Sequence, residues 1–527
     1  MSHSSTTGDA VEPTDQRPAA GAGPSLAVAV GRGFSWLTIS LVAGKCFGAI
    51  AQLLLGRWIS EEQFRDFAIV ASFATLVKVF QDGGVPQLLI QRGKDEFDRL
   101  LGPAFWLSLA FGLTGGLLLA IAAPLIADFY ETPKLAQYLW IVASTLPLGA
   151  PATVLRAKLR VDLRFKAIAV IAVFWFMLRQ CSAVGFAAAG WGVAGLVLPL
   201  LLVTLFEWAA AYYATMIKPW RRSPDVSEWS GLLGNSLWVV GTAVSRGLSR
   251  TGDYLVLGKL APDALVGKYF FGYQITTQIV ELLATNLQHV LFPALSRLAN
   301  EPERQSRAIL RTVRMLVFVA APVSLGLAVT VRPLVELLDA WIWNHKWSSA
   351  IPLMQVFAAA APVRMFSDLL TASFSSRGEF RRSALITLGE GFWLMASAAI
   401  AYAIVGDNLT GLACIIAVGQ IGFSVGISAV MLRQFGIQPA SFFRAFLPSW
   451  LVSLAAAGIA AFVVTLLPED VGNLSKLTVA GASVLFAFLP MARLFLRHDL
   501  EELSQVMPGP VGRLIQRALL LPRPVAA

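Results

Sequence analysis

The stretch LLGPAFWLSLAFGLTGGLLLAIAAPLIA, residues 100–127, carries no charged side chain from end to end. As an α-helix rising about 1.5 Å per residue it spans more than the ~30 Å of a bilayer's hydrocarbon. A surface helix of a water-soluble domain needs a charged or polar face, and this segment has none. Its backbone is satisfied in lipid only if it is helical, because every N–H and C=O must then be paired within the segment.

Runs of the same kind recur on both sides of it. Hydropathy predicts helices near 34–56, 64–85, 100–127, 137–155, 167–189, 191–216 and 231–257, and again near 267–293, 313–337, 350–374, 384–405, 410–432, 444–467 and 475–495. The fold class expected is therefore all-α: a polytopic membrane protein with about fourteen transmembrane helices. The whole 527-residue chain agrees, with 56% hydrophobic and 14% charged residues and a mean hydropathy of +0.66. Soluble domains sit near 45–50% apolar and about 25% charged, so a soluble globule is excluded.

Covalent chemistry finds little support. Cys46, Cys181 and Cys414 lie far apart inside apolar runs, and His3, His289, His345 and His498 are scattered. Neither set has the spacing of a disulfide framework, a metal site or a nucleophile with its base. Outward loops of no more than roughly 15 residues leave no room for a folded catalytic domain, which needs about 50.

The net charge of +10 encodes topology, not nucleic-acid binding, because the basic residues sit in short segments between apolar runs. One set of connections holds Arg92, Lys94 and Arg99, then Arg156, Lys158, Arg160, Arg164 and Lys166, then Lys218, Arg221 and Arg222, then Arg297, Arg304, Arg307, Arg311 and Arg314, then Arg377, Arg381 and Arg382. The opposite set holds only Arg57, Arg65, Lys134, Lys259, Lys268, Lys346 and Lys476. The positive-inside rule makes the rich side cytoplasmic, so both termini are expected there.

A weak internal repeat divides the chain. Leu55-Gly56-Arg57 followed by Phe67 matches Leu257-Gly258-Lys259 followed by Tyr269 at one constant offset. Two six-helix lobes, helices 1–6 and 7–12, with two extra C-terminal helices fit this spacing, and parallel repeats of this kind place a substrate cavity between the lobes. The expected organisation is a disordered cytoplasmic tail over 1–33, an N-terminal lobe over 34–216, a linker over 217–230, a C-terminal lobe over 231–433, two further spans within 434–496 and a cytoplasmic tail over 497–527. The Ser/Thr/Gly/Pro-rich start lacks the pattern of a cleaved signal peptide.

The stretches LLLGRWISEEQFRDFAIVASFATLVKVFQDGGVPQLLIQRG (53–93), LRAKLRVDLRFKAIAVI (155–171) and SRTGDYLVLGKLAPDALVGKYFFGYQ (249–274), the last followed by VLFPALSRL (290–298), resemble the Wzx-type polysaccharide flippases of the multidrug/oligosaccharidyl-lipid/polysaccharide exporter superfamily. The resemblance implies translocation of a polyprenyl-pyrophosphate-linked oligosaccharide from the cytoplasmic to the periplasmic leaflet of the inner membrane by alternating access. It implies partnership with membrane lipids and work beside a polysaccharide polymerase and glycosyltransferases. A peptidoglycan-precursor lipid flippase and an ion-coupled small-molecule exporter of the same superfamily stand as the alternatives.

Each ionisable residue inside a span costs roughly 2.5–3.5 kcal/mol on insertion scales and needs a partner or a hydrated cavity. Two readings compete. Pairing along one helix joins Lys78 to Asp82, Arg250 to Asp253 and Arg364 to Asp368. It leaves Lys45, Arg179 and Arg246, for which Glu207, Glu281 and Glu390 are partners on other helices. Alternatively Lys45, Lys78, Arg179, Arg246, Arg250 and Arg364 converge on the interlobe cavity and hold the pyrophosphate, since cationic donors replace the water a diphosphate loses. Glu281 and Asp368 are the candidates for H⁺ or Na⁺ coupling, against a structural hydrogen bond between helices. No cofactor is expected. Tryptophans such as Trp58, Trp140 and Trp191 fall at helix ends as interfacial anchors, and packing is preferred over sugar stacking for Trp175 and Trp393.

Overall fold

The computed structural model describes residues 26–81, 83–230, 236–277, 301–377, 379–468 and 470–506. Among these there is no strand, and the long helices run α1 (Leu26–Trp58), α2 (Glu61–Val77), α3 (Val85–Phe129), α4 (Lys134–Val161), α5 (Phe165–Ala188), α6 (Gly192–Thr215) and α7 (Ser236–Leu260). They continue as α8 (263–277 as described), α9 (Pro302–Leu338), α10 (Ile351–Ser376), α11 (Phe380–Val405), α12 (Leu409–Gln434), α13 (Pro439–Thr465) and α14 (Asn473–Phe495), with a short α15 (Arg497–Val506). Ten helices among the described residues are long and apolar enough to cross a bilayer. The chain is a multi-pass membrane protein. α2, at 17 residues, is short for a span, and α7 carries Arg246, Arg250 and Asp253, so length and composition among the described residues do not reach the expected count of about fourteen.

Several helix boundaries differ from the hydropathy reading. α1 starts at Leu26, ahead of Phe34. The expected loop between the second and third helices is helical: α3 begins at Val85 and runs without a break through the basic segment to Phe129. Likewise α4 continues through Arg156, Lys158 and Arg160, and α9 begins at Pro302 so that Arg304, Arg307, Arg311 and Arg314 ride on its first turns. Many of the basic residues thus occupy helix extensions beyond the apolar runs, while Lys218, Arg221 and Arg222 stay in the connection between α6 and α7. A helix can outlast its hydrophobic segment because Arg and Lys are good helix formers and snorkel away from lipid.

The break that does form lies after α2. A 3₁₀ turn over Lys78–Gln81 leads to Gly83 and Gly84 at φ +55° and +81°, and Pro86 then opens α3. Left-handed backbone at two successive residues suits glycine, and proline in the first turn gives up an N–H that has no partner there anyway. At its other end α2 is fixed by a capping box: the Ser60 hydroxyl accepts from the Gln63 N–H (3.2 Å), and the Gln63 side chain accepts from the Ser60 N–H (3.0 Å).

Helices α1–α6 pack on one another, most extensively α3 on α4, where a Cβ at Gly112 or Gly116 would come within 2.8 Å of the Leu146 or Ala143 carbonyl. Small residues four apart let the backbones approach this closely. α7 packs on α11, α10 on α12, and α13 and α14 on α9. Among the described residues the main helix contact between these N- and C-terminal halves is α2 on α7, antiparallel, from Ile69 against Gly258, through Ser72 beside Thr251, to Leu76 against Gly247.

Candidate functional site

Where α1, α2, α5 and α6 of the first half meet α7 and α8 of the second there is a cavity of about 240 Å³. Its lining is amphipathic: Gln52, Ser72, Thr75, Arg179, Gln180, Thr251 and Gln274 supply polar groups, and Phe64, Phe67, Tyr254 and Phe270 supply aromatic surface. Arg179 has the face of Trp175 beside its guanidinium, 5.8 Å from the ring centroid.

The cavity closes toward the end of the molecule that is poor in basic residues. Phe64, Phe271 and Trp347 form a plug, with Phe271 and Trp347 stacked at 3.8 Å and Phe64 5.2 Å from Phe271. Around it, five of the seven basic residues on that sparse side tie the halves together. Arg57 donates to the Ile342 carbonyl (2.7 Å), and Lys346 to those of Gly56 (3.2 Å) and Ile59. Lys259 pairs with Glu131 (2.7 Å) and Lys268 with Glu61 (3.6 Å). Arg65, only 4% exposed, donates to the carbonyls of Tyr130 and Gly258 and to Thr132 and Asp66, and faces Asp263 at 3.4 Å. Trp343 and Trp347 add indole N–H donation to Leu53 and Gly56. Charged donors to carbonyls contribute about 1.5–3 kcal/mol each and aromatic pairs about 0.5–1.5. Burial pushes the Lys346 ammonium below its usual range, against the pull of Glu61 and Glu62, while Lys259 holds the Glu131 carboxyl below its own.

The six cations proposed from sequence do not share one described lining. Arg179 lines the interlobe cavity. Lys78 instead lines a second cavity inside the N-terminal half. Arg246 and Arg250 are exposed on α7, flanking Gly247 where α7 crosses α2, and Lys45 is half-buried on α1. Arg364 sits inside the C-terminal half, donating to the Tyr273 hydroxyl and to the Ser249 carbonyl (3.0 Å).

The pairing along α7 is overturned. Asp253 is 1% exposed and takes its hydrogen bonds from the Tyr269 hydroxyl (2.7 Å) and the Tyr254 N–H (3.0 Å), and among the described residues it makes no ion pair with Arg250. Glu207 is the partner of Arg156 on α4, at 2.6 Å, and not of Lys45, Arg179 or Arg246. Glu281 and Asp82 lie outside the described residues, as does the side chain of Asp368, so the pairs of Asp82 with Lys78 and Asp368 with Arg364 are not described. In the C-terminal half, Asp253, Tyr269, Tyr273 and Arg364 form one chain across α7, α8 and α10, and Ser367 beside it donates to Glu390 on α11 (3.3 Å). Sequence spacing missed this arrangement. A buried carboxylate and two tyrosines at 253, 269 and 273 are visible in the chain, but not that they meet.

Known proteins bear on this arrangement. The chain is 22% identical over 482 residues to the teichuronic acid biosynthesis protein TuaB of Bacillus subtilis, covering 88% of this chain and 96% of that one. It is 21% identical over 318 residues to the succinoglycan biosynthesis transport protein ExoT of Rhizobium meliloti, covering 60% and 64%. Its fold is similar to that of the lipid II flippase MurJ in an inward closed conformation, with a TM-score of 0.70 at 14% identity over 87% of this chain and 99% of that one. It also resembles an inward-facing multidrug resistance transporter of the MATE family (TM-score 0.57, 14% identity, 76% and 98% covered). The description "polysaccharide biosynthesis protein" fits residues 54–352, more than half the chain, and the protein therefore belongs to the polysaccharide biosynthesis protein family.

Proposed function

We propose that the protein moves a polyprenyl-pyrophosphate-linked oligosaccharide from the cytoplasmic to the periplasmic leaflet of the inner membrane, for assembly of a surface polysaccharide. It acts as a transporter without covalent chemistry. The observation that carries this reading is the interlobe cavity, sealed at the sparse end and lined at its apex by Arg179 and neutral hydrogen-bonding groups. A diphosphate crossing hydrocarbon must trade water for fixed donors, and an oligosaccharide needs amide and hydroxyl partners beside aromatic faces. Under the positive-inside rule the sparse end is periplasmic and both termini are cytoplasmic. The structure is then the inward-facing state, with Arg246 and Arg250 on the route to the apex.

Family membership and the relatives in teichuronic acid and succinoglycan synthesis support the substrate class. The buried Asp253 chain supports H⁺ or Na⁺ coupling in the C-terminal half, with rearrangement around Tyr269 as the means of communication with the interlobe core. No other cofactor is required. The partners proposed are the lipid-linked oligosaccharide, the surrounding lipid, and a polymerase and glycosyltransferases of the same pathway.

The test is deletion of the gene followed by complementation. Loss of surface polysaccharide with lipid-linked units held on the cytoplasmic leaflet, rescued by wild type but not by Arg179→Ala at matched membrane levels, is the expected result. Unchanged polysaccharide in the deletion strain would end the proposal.

A further inference from the structure

The interlobe cavity sorts hydrogen-bond acceptors from donors by helix. On α2 the Ser72 hydroxyl donates to the Ala68 carbonyl (2.7 Å) and the Thr75 hydroxyl to that of Ala71 (2.8 Å), and on α7 the Thr251 hydroxyl donates to the Gly247 carbonyl (3.0 Å). All three residues line the cavity. A serine or threonine hydroxyl has one proton and two lone pairs, so a hydroxyl bonded back to its own helix keeps only acceptor capacity for a ligand. The two helices present this surface jointly, because Ser72 also lies 3.5 Å from the Thr251 carbonyl. The rings of Phe67 and Phe270 line the same cavity.

The wall built by α1 and α5, which pack on each other, is of the opposite kind. The Arg179 guanidinium carries donors and no acceptor. Gln52 on α1 adds an amide nitrogen that is buried and, among the described residues, has no hydrogen-bond partner. Leaving a buried donor unmet is costly, and native proteins meet it with an oxygen of the protein, of water or of a ligand. Gly48, one turn before Gln52, lines the cavity too and leaves the α1 surface low beside that amide. Gln180 and Gln274 carry amides that donate or accept, so they favour neither kind of ligand group.

An ionised phosphate oxygen accepts and cannot donate, so the lone pairs on α2 and α7 repel it while the donors of α1 and α5 hold it. A sugar hydroxyl carries a proton that those lone pairs can take. At about 240 Å³ the cavity is smaller than the ~300–1,000 Å³ that encloses a drug-sized ligand, so it receives the part of the substrate around the diphosphate and not a whole oligosaccharide. We infer that the two walls orient a glycosyl diphosphate: Gln52, with Arg179 on the α1–α5 wall, donates to diphosphate oxygens, and Ser72, Thr75 and Thr251 accept from hydroxyls of the sugar joined to it. This rests on the flippase reading for the presence of the diphosphate. It adds two determinants of recognition, a neutral donor for the anion and a requirement for hydroxyls on the first sugar.

The test uses the full chain in phosphatidylcholine nanodiscs with three radiolabelled probes: farnesyl diphosphate, farnesyl glucosyl diphosphate and farnesyl cyclohexyl diphosphate. The last has a ring of the same size without hydroxyls. Wild type is expected to bind the glucosyl probe about tenfold tighter than the cyclohexyl one, the worth of two ordinary hydrogen bonds. Ser72→Ala combined with Thr251→Val should lose most of that preference by weakening the glucosyl probe alone, and Thr251→Ser should retain more of it than Thr251→Val. Gln52→Leu should weaken all three probes by a similar factor, about tenfold for a hydrogen bond to a charged group, because they share the diphosphate. Gln52→Glu keeps the shape, turns the donor into a charged acceptor and should weaken them further. Arg332→Gln, on the exposed far end of α9, should bind as wild type. Equal binding of the glucosyl and cyclohexyl probes by wild type, a preference that survives Ser72→Ala with Thr251→Val, or farnesyl diphosphate binding untouched by Gln52→Leu and Gln52→Glu would overturn the sorting of the walls. Those outcomes leave the flippase reading standing. That reading falls instead if wild type binds none of the probes, or if deletion of the gene leaves surface polysaccharide intact.

Discussion

The Arg65 guanidinium, in the first turn of α2, donates to the carbonyl of Gly258 at the end of α7, 2.7 Å away and 193 residues distant in the chain. Gly258 occupies the same place in the second copy of the internal repeat that Gly56 occupies in the first. The Gly56 carbonyl is likewise held from the opposite half, by Trp347 at 3.0 Å and Lys346 at 3.2 Å. Each half therefore closes on a glycine carbonyl of the other. Glycine permits this approach, since a Cβ at Gly56 would meet Phe271 at 2.7 Å and Trp343 at 2.8 Å.

Arg65→Ala removes donors to two buried carbonyls and is expected to cost the closed arrangement about 2–4 kcal/mol. In a cysteine-free background, a cysteine placed at Thr251 in the cavity should then react with a membrane-impermeant maleimide from the sparse side at least tenfold faster. Arg65→Lys, with one point donor in place of a fork, should fall between. An unchanged labelling rate in Arg65→Ala would show that closure does not depend on this contact.

Gly267→Ala tests the same seam through shape alone. Its Cβ would lie 1.8 Å from the Glu61 carbonyl oxygen, a backbone atom that cannot swing aside. Separation of α8 from the start of α2 is the expected response, with accessibility raised as in Arg65→Ala and no change of charge. The same substitution at Gly422, where a Cβ meets nothing within 4 Å, should be silent.

Acidity should loosen the sparse end. Lys259 and, more weakly, Arg65 lower the Glu131 pKa from its usual 4.5, so Glu131 favours closure while ionised and that contribution is lost as pH falls through the lowered value. Lys346 has the opposite sign: burial lowers its pKa from 10.5, so the penalty on the charged form is relieved as pH rises through that lowered value. Maleimide labelling, divided at each pH by that of a freely exposed cysteine because the thiolate is the reacting form, should be flat from about pH 6 to 8, rise below about pH 4.5 and fall at the alkaline end. Glu131→Gln should reduce the acid limb without removing it, since Glu61, Asp66 and Asp263 also face cations at this end, and the reduction should be small because the Glu131 pair is exposed to solvent.

Asp253→Asn keeps the shape of the buried chain and removes its charge. Normal membrane levels with transport reduced at least tenfold, and with the remaining transport no longer responsive to a proton or sodium gradient, is the expected pattern. Asp253→Leu instead leaves the buried Tyr269 hydroxyl without its partner and should lower stability by about 1–3 kcal/mol. Full gradient-dependent transport by Asp253→Asn would remove it from coupling.

The charge-free run 100–127 and its counterparts settle that the chain is helical and lies in a membrane, because hydropathy over about 20 residues is a local property that no distant contact reverses. The repeated Leu-Gly-Arg/Lys signature marked Gly56 and Gly258, and family membership followed from linear motifs. What the sequence alone did not contain is who meets whom. Arg57, Arg65, Lys259, Lys268 and Lys346 count only as a sparse set in the positive-inside pattern, yet each joins the two halves. Spacing allows Asp253 to pair with Arg250, but burial turns Asp253 toward Tyr269, and Lys78 lines a cavity inside the N-terminal half. Helical spacing fixes which residues share a face, and only the packing of helices hundreds of residues apart fixes what that face touches. For charges in a low-dielectric interior that choice decides everything, since each must find a partner or water wherever the fold provides one.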